Sequence, residues 1–322
     1  MERINKPTGI PSLLVNSKNK KYHLIFIAIM LINLMSFSTN AQNTHTMKKT
    51  FTGSEINEIE VSTTIGNIFV EATDTDEIEV NVIISKGEEV YALSHPNLDV
   101  IIKDFDMNIS KNGNKVFAVA KDLRKFSHTD VSLSGRSDNI VAYGQKSDSF
   151  FSVFSSKKEL ITVVSFYISV PKNFKAINAS STTGNVILKN KISNATVNIS
   201  SGGDISVKDI AGNIDAYTRN GSIALKGSVN NAKARTTGYI YATLNKNFGD
   251  VNLLSQAGSG AVICQLSPDM KANLVASGRN VKMPDSKIFS GSSTSKKVEG
   301  ELNGGGNPLT IKASGNVTID FL

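Results

Sequence analysis

The residues of this chain that could do chemistry are few, and their spacing argues for contact rather than catalysis. Lys189, Lys208 and Lys226 each stand five positions after a glycine: Gly184, Gly203 and Gly221. A fixed offset of that kind places one side-chain type at one point of successive structural repeats. Stacked strands lie roughly 4.8 Å apart, so three ammonium groups in register would repel one another well within a Debye length of about 8 Å. Something must offset them: nearby acids such as Asp209, splaying into water, or an anionic ligand. Tyr239 and Tyr241 continue the same side in the next repeat, an aromatic pair suited to stacking on a sugar ring. The expected binding residues are therefore Lys189, Lys208, Lys226, Tyr239 and Tyr241, and the expected ligand is an anionic glycan.

Other reactive residue types give no comparable pattern. Three histidines follow the N-terminal leader, His45, His95 and His128, and none lies in a metal-ligand spacing with a second ligand type beside it. No Gly-x-Ser-x-Gly elbow occurs. Gly202-Gly203-Asp204 has the form of a calcium-binding nonapeptide roll, but it occurs once where such rolls need many copies, so Asp204 reads as a turn residue. Polysaccharide-cleaving β-structures need paired carboxylates or a basic catalytic group on one exposed face. Along the three lysine-bearing repeats the outward positions are Asn, Ile, Ser, Ala and Lys apart from Asp204, so no acidic column forms. The one cysteine, Cys264, falls on an apolar position and reads as a small hydrophobe. The chain is read as a non-enzyme, with no cofactor, no metal site and no internal disulfide.

The elements that must position these residues come from one repeated phrase. A short polar residue, Gly, one further residue and then Val or Ile recurs around glycines 184, 203, 221, 238, 260 and, in degenerate form, 278. The spacings are 19, 18, 17, 22 and 18 residues. At roughly 3.3 Å per residue such a period makes a closed coil of two or three short strands, and stacked coils pair each strand with its copy above and below. Two residues after each glycine stand Val186, Ile205, Ile223, Ile240 and Val262; four residues after stand Leu188, Val207, Leu225, Ala242 and Cys264. Both columns point the same way by alternation and should line a core. The predicted fold is all-β: a single-stranded parallel β-helix, or solenoid, of ~18–20 residues per rung.

The remaining segments fall around that array. Lys18, Lys20 and Lys21 precede an apolar run from Leu24 to Phe37, and a small-residue stretch ends at Ala41, the pattern of a secretory signal over residues 1–41. The run is too short for a spanning helix of ~20 residues. Its loss removes five basic side chains and one acidic one, so the net charge of +7 falls to +3 and basicity is no argument for nucleic acid. Residues 42–55 read as a flexible linker. The solenoid domain is placed at 56–322, with an irregular β-rich insertion at 86–159 that includes a strand at Val100-Ile101-Ile102, a regular array at 176–283, a polar loop from Met283 to Lys297, and terminal strands at 307–322 acting as or near a cap.

Three pieces carry a resemblance: the secretory signal, the opening Ile65-Gly66-Asn67-Ile68-Phe69-Val70, and Val170-Pro171-Lys172-Asn173-Phe174 ahead of the Gly-Asn/Asp-Val/Ile turns. Together they resemble a family of exported bacterial β-strand-repeat proteins named as adhesins, related to head-GIN-type domains, over Ile56 to Leu322. The resemblance implies a right-handed β-helix-like solenoid in the cell envelope and no reaction. The functional expectation is a non-catalytic exported envelope protein, adhesin-like or glycan-contacting, in the periplasm or at the surface of a Gram-negative-type bacterium. Its partner would be an anionic envelope glycan or another envelope protein, with no nucleic acid and no transmembrane span after signal cleavage. The alternatives are a periplasmic partner of an envelope signalling system and a carbohydrate-active β-helix enzyme. The sequence leaves oligomeric state open.

Overall fold

Period-two alternation of apolar and polar residues sets nearly every element. The computed structural model describes residues 47–86, 89–124, 132–136, 139–144, 159–172, 174–190, 192–209, 212–245 and 249–322; the expected signal lies outside them. The chain enters through β1 (Met47–Thr52), then β2 (Glu58–Ile65) and β3 (Ile68–Thr73), which meet at the corner Gly66-Asn67. β4 (Glu77–Lys86) and β5 (Glu89–Tyr91) lead to one helical turn, α1 (Leu98–Ile102). The hairpin β6 (Phe105–Asn112) and β7 (Lys115–Asp122) follows, then β8 (Ser132–Arg136), β9 (Asn139–Gly144) and the long β10 (Glu159–Pro171).

From there the strands come in pairs about a recurring corner. They are β11 (Ala176–Thr183) with β12 (Val186–Lys189), β13 (Asn194–Gly202) with β14 (Ile205–Lys208), and β15 (Asn213–Asn220) with β16 (Ile223–Gly227). β17 (Asn231–Thr236) with β18 (Ile240–Leu244) and β19 (Val251–Ser255) with β20 (Val262–Leu266) continue the series. The chain finishes with β21 (Ala272–Ser277), β22 (Asn280–Lys282), the hairpin β23 (Phe289–Ser293) and β24 (Lys297–Leu302), and a last pair, β25 (Asn307–Ala313) and β26 (Asn316–Phe321).

Among the described residues the protein is all-β apart from that one helical turn, and it builds a 14-stranded and a 12-stranded sheet. The first strand of each pair joins the 12-stranded sheet and the second the 14-stranded one. Within each sheet, strands of successive repeats run parallel and in register, β3-β12-β14-β16-β18-β20 in one and β2-β11-β13-β15-β17-β19 in the other. Both predicted columns sit buried in one core, so each β-branched or Leu side chain contributes about 1.5–3 kcal/mol of burial. The facing sheet supplies Ile177, Ala195, Ile214, Ala232 and Val251 to the same core.

The corners explain the glycines. At Gly203, φ is +145° and an added Cβ would lie 1.9 Å from the Gly184 carbonyl oxygen; Gly184 stands in the same relation to Gly66. Successive backbones stack too closely there for any side chain. Buried hydroxyls complete the hydrogen bonding at three of the corners: Thr218, Thr236 and Ser255 donate to the carbonyls of Gly203, Gly221 and Gly238 at 2.8, 2.6 and 2.6 Å. The opposite corner carries an asparagine ladder, in which the Asn213 and Asn231 side chains donate to the Oδ1 of Asn194 and Asn213 at 3.0 and 2.8 Å.

Four expectations are corrected. Residues 47–52 of the expected linker form β1, because Met47 and Phe51 pack on the core while Lys48 pairs with Glu79 across β4. Val100-Ile101-Ile102 lies in α1, not in a strand. The 86–159 insertion is less irregular than expected, since its β7 pairs parallel with β2; together with β10, which follows the insertion and pairs parallel with β3, it adds a repeat at that end. Antiparallel β6, β4 and β1 then cover it. At the other end β25 and β26 lie near the cap without forming it, inserted between β19/β20 and β21/β22. The cover there is antiparallel β24 with β23, the latter formed from the polar stretch expected to be a loop. At the first end the outermost strands, β1 and β6, are charged and antiparallel to their neighbours, which blunts those edges against further strand addition.

Candidate functional site

The outward face of the 14-stranded sheet gathers the expected binding residues into columns. Lys189 pairs with Lys208 in register and Lys208 with Lys226. Alternation turns these side chains outward, since Leu188, Val207 and Leu225 beside them face the core. Glu71 flanks the row at the Lys189 end and Thr243 at the Lys226 end. Lys189 and Lys208 are half-buried along their stems and Lys226 is exposed. Among the described residues no acid forms an ion pair with Lys208 or Lys226, so Asp209 does not provide the offset anticipated for them.

Tyr239 and Tyr241 do not continue the lysine column itself. Tyr241 stands in register with Ala224, one column nearer the corner, and Tyr239 lies nearer still. Their rings are stacked, with centroids 6.1 Å apart and planes at 18°. Tyr239 is 43% exposed, whereas Tyr241 is half-buried. Burial, then the neighbouring Tyr239 and Asp204, push the Tyr241 phenol above its ordinary pKa, so it stays neutral and keeps its hydrogen to donate.

Sequence reasoning missed a second aromatic pair in the same column. Phe69 and Tyr167 are in register on β3 and β10, with ring centroids 4.4 Å apart and planes at 15°. Phe69 stands three residues after Gly66, the same offset as Tyr241 from Gly238, so it was legible in the repeat table. Tyr167 was not, because no glycine corner precedes β10. Between the two pairs the column runs through Ile187, Ser206 and Ala224, so two of its three side chains are small.

Asp204, on the corner side of this trough, is a structural group. Its Oδ1 accepts from the Ser222 amide at 2.7 Å, and its own amide donates to Asn185 Oδ1 at 2.8 Å. Elsewhere, Cys264 is fully buried and burial pushes its thiol up to about 12, in keeping with a core role. His95 lies apart from the face, 3.5 Å from Glu89 and edge-on to Tyr91; His45 and His128 fall outside the described residues. No group of three or more His, Cys, Asp or Glu that could hold a metal ion occurs among the described residues.

No protein-family model and no curated protein matches the chain. Similar solved structures include a candidate adhesin from Bacteroides fragilis NCTC 9343, 12% identical, with a TM-score of 0.38 over 86% of this chain and 96% of that one. A candidate cell adhesion protein from Clostridium sporogenes ATCC 15579 is 10% identical, with a TM-score of 0.32 over 86% and 99% of the two chains. A candidate lipid-binding protein from Parabacteroides distasonis ATCC 8503 is 11% identical, with a TM-score of 0.27 over 86% and 97%.

Proposed function

We propose that this chain is a non-catalytic, exported protein of the cell envelope, adhesin-like, whose two sheets wind as a β-solenoid and whose 14-stranded sheet presents a flat glycan-contacting face. The observation that carries the reading is the in-register row Lys189–Lys208–Lys226, two of whose members have no acidic partner among the described residues, beside stacked Tyr239 and Tyr241. Lys208 and Lys226, with no acidic partner among the described residues, hold their charges in fixed places on a rigid sheet, which favours an extended anionic partner. Each strand is fixed by ladders on both sides, so the face is pre-organised and binding orders little of the protein. Protease treatment of intact cells tests where the protein acts. Digestion without breaching the outer envelope supports a surface role; protection until the envelope is opened favours the second reading, a periplasmic partner of a signalling system, and a cytoplasmic location overturns both.

A further inference from the structure

The row of lysines is only one edge of a longer feature. Its neighbour column starts at the stacked pair Phe69–Tyr167, crosses Ile187 and the small side chains Ser206 and Ala224, and ends at the stacked pair Tyr239–Tyr241. Four strand steps separate Phe69 from Tyr241, about 19 Å along the stacking direction. The result is a shallow lane between two aromatic platforms, floored by Ile187, Ser206 and Ala224 and bordered on one side by Lys189, Lys208 and Lys226 over its three central strands, with Glu71 beside Phe69 and Thr243 beside Tyr241. Its other side is the corner column of Asn185, Asp204 and Ser222, whose side chains or amides are already engaged between repeats. Asp204 is the one acid of that border, and it lies across the lane from the lysine row.

Building on the glycan-contacting reading, we propose that this lane binds a linear polyuronate, a chain of acidic sugars lying along the stacking axis and therefore across the strands. Three features of the lane select this occupant. Aromatic rings at the two ends offer flat apolar platforms for the C–H faces of pyranose rings. Lysines occupy the three central strands, one per strand step, a spacing comparable to the length of one sugar, so successive carboxylates along that stretch each meet an ammonium. The floor between the platforms holds Ser206 and Ala224, whose short side chains let a ribbon of sugars approach the sheet. An acidic peptide shares the charge but has no ring face for the two platforms. A neutral glucan has the ring face but no charge for Lys208 and Lys226.

Calorimetric titration of the purified protein with polygalacturonate chains, matched neutral dextran and polyglutamate decides among these. Binding of polygalacturonate that weakens with salt, with dextran and polyglutamate at least tenfold weaker, is the expected result. The double substitution K208S/K226S and the single substitutions Y239S and F69A should each weaken binding roughly tenfold or more. Fragments of two or three sugars, too short to reach both platforms, should bind weakly and ignore F69A if they sit at the Tyr239–Tyr241 end. Circular dichroism and melting confirm that each variant is folded, and Y239S, at an exposed position, serves if F69A is not. No binding of polygalacturonate, equal binding of polyglutamate, or unchanged binding by folded variants overturns the proposal. Retention of the protein on neutral envelope glycan while polygalacturonate fails would overturn the polyuronate alone; failure on every glycan would overturn the parent reading as well.

Discussion

A Cβ on Gly203 would lie 1.9 Å from the carbonyl oxygen of Gly184, so two corners of successive repeats touch backbone to backbone. The contact cannot be relieved by a side-chain rotation, since both partners are main chain, and the φ of +145° disfavours any L-residue besides. Gly203→Ala should therefore cost about 3 kcal/mol or more. Gly258→Ala is the matched control, because nothing lies within 4 Å of its Cβ position. Denaturant midpoints of the two variants check this: equal midpoints would mean the corners are not stacked as described.

Those same glycines made the architecture legible. Their spacing predicted the strand pairing, the two core columns and the lysine register, because a repeat states its geometry several times over. The ends were not legible for the complementary reason. β25 and β26 bear the repeat's pattern at Gly315-Asn316-Val317, yet they dock between β19/β20 and β21/β22, and nothing in a local pattern says which neighbour a strand will choose. The pairing of the Arg124 guanidinium with the buried Asp122 carboxylate was not legible either. Phe69 was missed at the site because the glycine offset was tabulated for the later repeats and not for the first.

The Thr236 hydroxyl donates to the Gly221 carbonyl at 2.6 Å and accepts from the Gly238 amide at 2.9 Å, at 1% exposure. Thr236→Val keeps the shape and leaves two half-buried backbone groups without their partner, at a cost of about 1–2 kcal/mol. Thr236→Ser keeps the hydroxyl and should lose less than half of that. Urea unfolding of the pair reads the difference; equal losses would assign the effect to the methyl group instead.

Asp122 has a fully buried side chain at the end of β7, held by Arg124 Nε at 2.8 Å and Nη2 at 2.5 Å. The guanidinium also lies 5.0 Å from the Phe105 ring. Asp122→Ala leaves that cation without its partner and should destabilise the protein by about 3 kcal/mol. Replacing both members, with Asp122→Ala and Arg124→Met, should recover part of the loss, which a double-mutant cycle of thermal unfolding measures.

Cys264 should be inert to thiol reagents in the folded protein and react fully once unfolded. Its thiol is raised from 9.0 to about 12 by burial, so the folded state binds a proton that the unfolded state releases first. The stabilisation this provides is complete below pH 9 and is lost as pH rises from 9 towards 12. Cys264→Ala, which has no such proton, should lose less stability over that alkaline range than the parent protein; parallel alkaline curves would refute the linkage.

The central claim, that the outward face of the 14-stranded sheet meets envelope glycan, is tested most directly by co-sedimentation of the purified protein with isolated envelope polysaccharide. The parent protein and K189S/K208S/K226S, matched for circular dichroism and melting temperature, are compared at low and high salt. The account predicts retention of the parent protein, its release by salt, and a retained fraction at least tenfold lower for the variant. Equal retention of the two proteins would contradict it.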